Sequence, residues 1–147
     1  MVAEKPGMTV AEFDAFCVEE LPFTAIYNFQ TESMGDQRAR VRLPADPRHI
    51  RPGGTVCGPA QMALADFALY AAILGSIGEV PLAVTTNLAT NFLRRPRPGD
   101  LIAEARLLKL GRRLAVGEVL IYSEGENDVV SHITGTYSIP PADERPQ

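Results

Sequence analysis

The sequence predicts an α+β fold in which a curved antiparallel sheet wraps around one long central helix. Three observations carry this. Between Pro52 and Gly78 the only formally charged side chain is Asp66, so the helix expected over Gly58–Ile77 is apolar on every side and therefore buried on every side. The segments after it, at residues 83–93, 100–110, 112–123 and 129–139, read as strands joined by short turns, which favours antiparallel pairing. Strands and helices do not alternate, as they would in a doubly wound parallel sheet.

The remaining elements follow in order. Thr9 with Glu12 three residues on is a capping-box signature, and Val10, Phe13, Phe16 and Cys17 form an apolar stripe at helical spacing. Pro22 ends this N-terminal helical segment, which spans residues 1–22. Residues 27–33 and 37–43 read as two strands around a turn at Met34, Gly35 and Asp36. In the second, Arg38, Arg40 and Arg42 alternate with Ala39, Val41 and Leu43, giving one wet face and one packed face. Residues 44–55 are dense in proline and glycine and read as a loop. Gly75, Gly78 and Pro81 terminate the central helix, and residues 140–147 read as a loose tail.

Composition bounds the function. At 147 residues, with 46% hydrophobic and 22% charged, the chain suits one globular domain over residues 1–147 and excludes a disordered or collagen-like protein. The net charge of −4 gives no global attraction to nucleic acid or anionic lipid. His49 and His132 are the only histidines, and Cys17 and Cys57 lie in no zinc-binding spacing, so no metal cofactor is expected. Residues 1–9 lack the apolar core of a signal peptide. Gln61, Asp66 and Tyr70 interrupt the central helix too often for a membrane span, which needs ~20 predominantly apolar residues. The expectation is a cytoplasmic protein with free thiols and no membrane contact.

Two features carry chemistry. A carboxylate in an apolar helix costs several kcal/mol unless it is paired or hydrogen-bonded. Asp66 is therefore either a cleft residue acting as general base, its pKa raised by apolar surroundings, or a structural acid paired with an arginine or capping a neighbouring element. At the helix start, Gly58 is read as the N-cap and Pro59 as the first helical residue. Free amides there, reinforced by the helix dipole, favour developing negative charge and can form an oxyanion hole, or simply cap the helix.

These residues resemble the PaaI-like hotdog-fold thioesterases, which hydrolyse acyl-CoA. The stretch from Cys57 through Gly58 and Pro59 to Leu64, Ala65 and Asp66 is similar to that family's H-G-G-x-x-x-x-L-A-D segment. Thr85, Leu88, Phe92, Leu93 and Arg94 lie in a stretch similar to its T-x-x-L-x-x-x-F-L-R strand, and Gly99-Asp100 fits the following turn. The resemblance spans about residues 25–139 and implies the hotdog fold. It also implies that the Gly58 amide polarises a thioester carbonyl while Asp66, from the neighbouring subunit, acts as base or nucleophile. Thr85 or Thr86 would help hold the attacking water, and alternation alone does not choose between them. Three positions depart from the pattern. Cys57 replaces a histidine, Pro59 replaces the second glycine, and Arg51 stands where asparagine or glutamine is common. Arg51 either polarises the carbonyl or neutralises Asp66. Arg51, Cys57, Pro59 and Tyr70 are assigned to the substrate surface.

Arg94, Arg95 and Arg97 belong to a run of seven basic residues between Arg94 and Arg113, opposed in sequence only by Asp100 and Glu104. The turn at Arg94, Arg95 and Arg97 is assigned to the phosphates of CoA, and Arg106 and Lys109 to a solvated edge. No aromatic side chain is interleaved in the run, which speaks against nucleic acid. Cys57 as nucleophile with His49 or His132 as base is a weaker reading, because no motif links them. A non-catalytic acyl-CoA binding or sensing protein is the rival on the same fold. A hydratase would need an Asp/His pair that the sequence does not place together. Because one sheet covers only part of an all-apolar helix, a homodimer is expected, with further pairing into a tetramer left open.

Overall fold

The computed structural model describes residues 6–141. Helix α1 (Val10–Glu20) begins at the predicted capping box: the Glu12 amide donates to Thr9 Oγ1 at 3.2 Å, and the Thr9 amide donates to Glu12 Oε1 at 3.1 Å. Its buried face is Phe13, Phe16 and Cys17. Pro22 then starts a second, short helix, α2 (Phe23–Tyr27), rather than simply ending the first. Its backbone, at φ −60° and ψ −20°, is already helical, and left-handed Asn28 at φ 56° closes the turn. Strand β1 (Gln30–Gly35) consequently starts later than the sequence suggested. It meets β2 (Arg38–Leu43) through Asp36 and Gln37, at φ 52° and 60°, a two-residue hairpin turn one position later than predicted.

The loop predicted over 44–55 contains a 3-10 turn at Pro47–His49 and a small hairpin of β3 (Ile50–Arg51) and β4 (Thr55–Val56). Helix α3 (Gly58–Ile77) follows, closed by Gly78 at φ 88°. The last four strands are β5 (Val84–Phe92), β6 (Leu101–Leu110), β7 (Leu114–Ser123) and β8 (Val129–Ser138). One antiparallel sheet runs β1-β2-β6-β7-β8-β5, and α3 packs across it, touching each of its strands. This is the predicted arrangement. The only helix long and apolar enough to cross a membrane among the described residues is α3, and 67% of its apolar stretch is buried inside the protein. Most of the predicted tail, residues 142–147, lies outside the described residues.

Gly117 and Gly135 face each other across β7 and β8, beneath Leu69 of α3. A Cβ at either would stand 2.6 Å or 2.5 Å from a Leu69 methyl, so the missing side chains let the helix settle onto the sheet. Gly135→Ala is expected to destabilise the fold by about 1–3 kcal/mol through overpacking. A lowered urea midpoint at unchanged slope would register this, and an unchanged midpoint would mean that Leu69 steps aside freely.

Two surfaces remain uncovered. Pro59, Met62, Ala63 and Asp66, at helical spacing along one face of α3, are exposed or half-buried while most of the helix is fully buried. Among the described residues the outer edge of β5 has no partner strand, and Leu82, Val84, Phe92 and Leu93 on and beside it are each more than half exposed.

Candidate active site

The structure divides the predicted residues into two groups along α3. The first lies at the helix start. Cys57 is the N-cap, one residue before the expected position, so Gly58 and Pro59 are the first two helical residues. The Cys57 amide is anchored to the His49 carbonyl at 2.7 Å, which ties the helix start to the 3-10 turn. The Gly58 amide is one of the first-turn donors that have no intrahelical acceptor. It borders an open cleft of about 480 Å³ lined by Arg51, Gly58, Gln61, Phe92, Arg94 and Arg95. Gln61 forms part of its floor. It is almost fully buried, donates to the Val56 carbonyl at 3.2 Å and accepts from Ser131, so it fastens the helix start to β4 and β8.

Arg51, Gly58, Arg94 and Arg95 thus line one cleft. Arg94 is bonded to Asp128 at 3.0 Å, whereas Arg51 and Arg95 have no acidic partner among the described residues. Arg97 is not on the cleft: its guanidinium pairs with Glu126 at 2.9 Å, and its amide donates to Ser123 Oγ at 3.0 Å. Arg106, assigned to a solvated edge, sits on β6 inside the sheet and pairs with Glu118 at 2.6 Å. The run that in sequence meets only Asp100 and Glu104 is therefore further neutralised by acids from β7 and the turn before β8.

The second group surrounds Asp66, two turns further along α3. Thr85 Oγ1 donates to Asp66 Oδ1 at 2.6 Å, and the Tyr137 hydroxyl donates to the same oxygen at 2.6 Å. Thr85 and Tyr137 are register partners on β5 and β8, so the sheet delivers both hydroxyls to one carboxylate. Asp66 is accordingly not bare in an apolar pocket, and it does not pair with Arg51 of its own chain. Of the two threonines, Thr85 meets Asp66. Thr86 falls at a bulge in the β5–β8 ladder and donates instead to the Thr136 carbonyl at 3.2 Å.

Tyr70 is not on the cleft either. It is 6% exposed, packed against Phe13, Phe16 and Tyr137, and its hydroxyl donates to the Pro81 carbonyl at 3.1 Å. Burial pushes its phenol up to about 12. It continues the Asp66 face of α3, but there α1 covers the helix. Pro59 is exposed on the bare stripe, and Cys57 is half-buried with no side-chain partner for its sulfur among the described residues. His49 is buried against Tyr27, and His132 is held by Glu118 at 3.1 Å, so neither histidine serves Cys57 or Asp66.

Tyr137 was missed in the sequence. The signal was there: alternation in residues 129–139 turns its ring inward with Ile133, and a buried tyrosine hydroxyl needs a partner. Burial, and then the adjacent Asp66 carboxylate, push the Tyr137 phenol far above its usual range, so it remains a donor.

A profile of the thioesterase superfamily matches residues 53–130, a range that includes Gly58, Asp66 and Thr85. A crystal structure from Silicibacter sp. TM1040, described as a "putative thioesterase", is 42% identical. It covers 95% of this chain and 97% of its own, with a TM-score of 0.84. The phenylacetic acid degradation protein PaaI from Thermus thermophilus, solved as a mutant, is 25% identical over 81% of this chain and 99% of its own, with a TM-score of 0.68. The "Putative esterase SSO1253" of Saccharolobus solfataricus is 25% identical, covering 91% of this chain and 87% of its own.

Proposed function

The chain belongs to the thioesterase superfamily, as a PaaI-like hotdog thioesterase, and from that premise we propose that it hydrolyses acyl-CoA in a site shared between two subunits. One observation carries this reading. Gly58 and Asp66 lie on one helix but eight residues apart, about 12 Å at 1.5 Å per residue, which is too far to act on one carbonyl. Between them runs the bare stripe of Pro59, Met62 and Ala63, beside the open edge of β5. Pairing two β5 edges around a two-fold axis covers both surfaces and sets Gly58 of one subunit opposite Asp66 of the partner subunit.

The chemistry then follows. The Gly58 amide and the α3 dipole polarise the thioester carbonyl and stabilise the oxyanion. Water attacks the carbonyl carbon as its proton passes to the Asp66 carboxylate. The tetrahedral intermediate collapses, the C–S bond breaks, and the CoA sulfur leaves with that proton. Thr85 donates its own hydrogen to Asp66, so its oxygen can meet the water only as an acceptor. Arg51 and Arg95, without an acidic partner among the described residues, suit the phosphates or the carbonyl of the substrate. Free thiols at Cys17 and Cys57 suit a reducing cytoplasm.

Release of CoA thiol from a panel of short, medium and aromatic acyl-CoAs tests the reading. Hydrolysis of at least one class is expected. Tight binding without turnover would make the protein an acyl-CoA binder. Arg51→Ala is expected to lower kcat/KM by about tenfold, the loss of one charge-assisted hydrogen bond. Higher turnover in Arg51→Asn would show instead that Arg51 restrains Asp66 of the partner subunit, and equal activity in all three proteins would remove Arg51 from the site.

A further inference from the structure

We propose that Tyr137 is a positioning residue that fixes Asp66 so that Oδ2, and not Oδ1, takes the proton from water. The inference rests on Asp66 being the base. Oδ1 accepts from both Thr85 and Tyr137, at 2.6 Å each, whereas Oδ2 has no partner among the described residues. Two donors on one oxygen occupy its lone pairs and fix the plane of the carboxylate. The free lone pairs of Oδ2 are then the accessible basic site, on a side chain left half-exposed on the bare stripe.

Tyr137 does more than duplicate Thr85. Its single hydroxyl hydrogen, directed at Oδ1, is shared with the backbone carbonyl of Asp66 at 2.9 Å, a three-centre contact that links the carboxylate to the main chain of the same residue. This couples the orientation of the carboxylate to the helix backbone. The tyrosine itself is 3% exposed and packs on Tyr70 with ring centroids 6.2 Å apart, so the donor is held by the core rather than by solvent. A residue held this way contributes geometry, the ingredient that makes a general base effective.

Tyr137→Phe keeps the ring and removes only the donor. In the parent background, kcat is expected to fall about tenfold or more, as for a hydrogen bond to a charged group, with KM within about twofold of the parent. Thr85→Val should lower kcat as well, and the double variant should fall below either. A crystal structure of Tyr137→Phe is expected to show the Asp66 carboxylate in more than one orientation, a readout independent of turnover. An unchanged kcat, or a loss confined to KM, overturns the inference, as does a single unaltered carboxylate orientation. Failure of the underlying reading looks different, because then Asp66→Asn itself would keep its turnover.

Discussion

Asp66→Asn is expected to leave a folded protein whose turnover falls about 10²-fold or more, the usual loss when a general base is removed. The substitution is informative because of how the carboxylate is held. The asparagine carbonyl oxygen can take the place of Oδ1 and still accept from Thr85 and Tyr137, so the contacts that pin the side chain survive. What disappears is the basic oxygen on the other side, replaced by an amide that takes no proton. Thermal unfolding of the variant should therefore match the parent closely while steady-state thiol release collapses. Full turnover in a folded variant would remove Asp66 from the chemistry and return it to the structural reading.

Mixing two inactive chains is expected to restore activity. A Cβ at Gly58 would stand 3.1 Å from the ring of Phe92, so Gly58→Val pushes bulk into the cleft where the carbonyl must sit. That chain and the Asp66→Asn chain are each silent alone. In a mixed two-fold dimer, one site collects both defects and the other collects neither. Random pairing of equal amounts then returns about a quarter of the parental activity per chain. The parent should also sediment without a folded monomer at micromolar concentration, because the bare face of α3 and the open edge of β5 are otherwise left in water. No recovery in mixtures proven to exchange subunits would count against a shared site, and a stable monomer against the pairing itself.

Local pattern alone carried a good part of the fold. The capping box at Thr9 and Glu12, the all-apolar run of α3, the alternation in β2 and the short turns that bound β6, β7 and β8 are all short-range signals, and each appears in the structure close to its predicted bounds. The errors fell where a residue type permits two local outcomes. Pro22 both ends α1 and starts α2, and the β1–β2 turn moved one residue because Asp36 and Gln37 adopt the left-handed region together.

The candidate site divided in the same way. Gly58 and Asp66 stood out in the sequence because a lone acid and a glycine helix start are each conspicuous within one segment. The group that Tyr137 meets, the choice of Thr85 over Thr86, the burial of Tyr70 and the neutralisation of Arg94 and Arg97 were decided only in three dimensions. Tyr137 reaches Asp66 across 71 positions of chain, through strand pairing whose register is shifted by a bulge at Thr86. A one-residue shift of that kind exchanges which side chain faces the acid, and no local pattern around Thr85 or Tyr137 encodes it. Sequence spacing determined which elements form and where the reactive residue types lie. The packing of β5 and β8 against α3 decided which of them touch, because hydrogen bonds between distant segments depend on register and not on proximity in the chain.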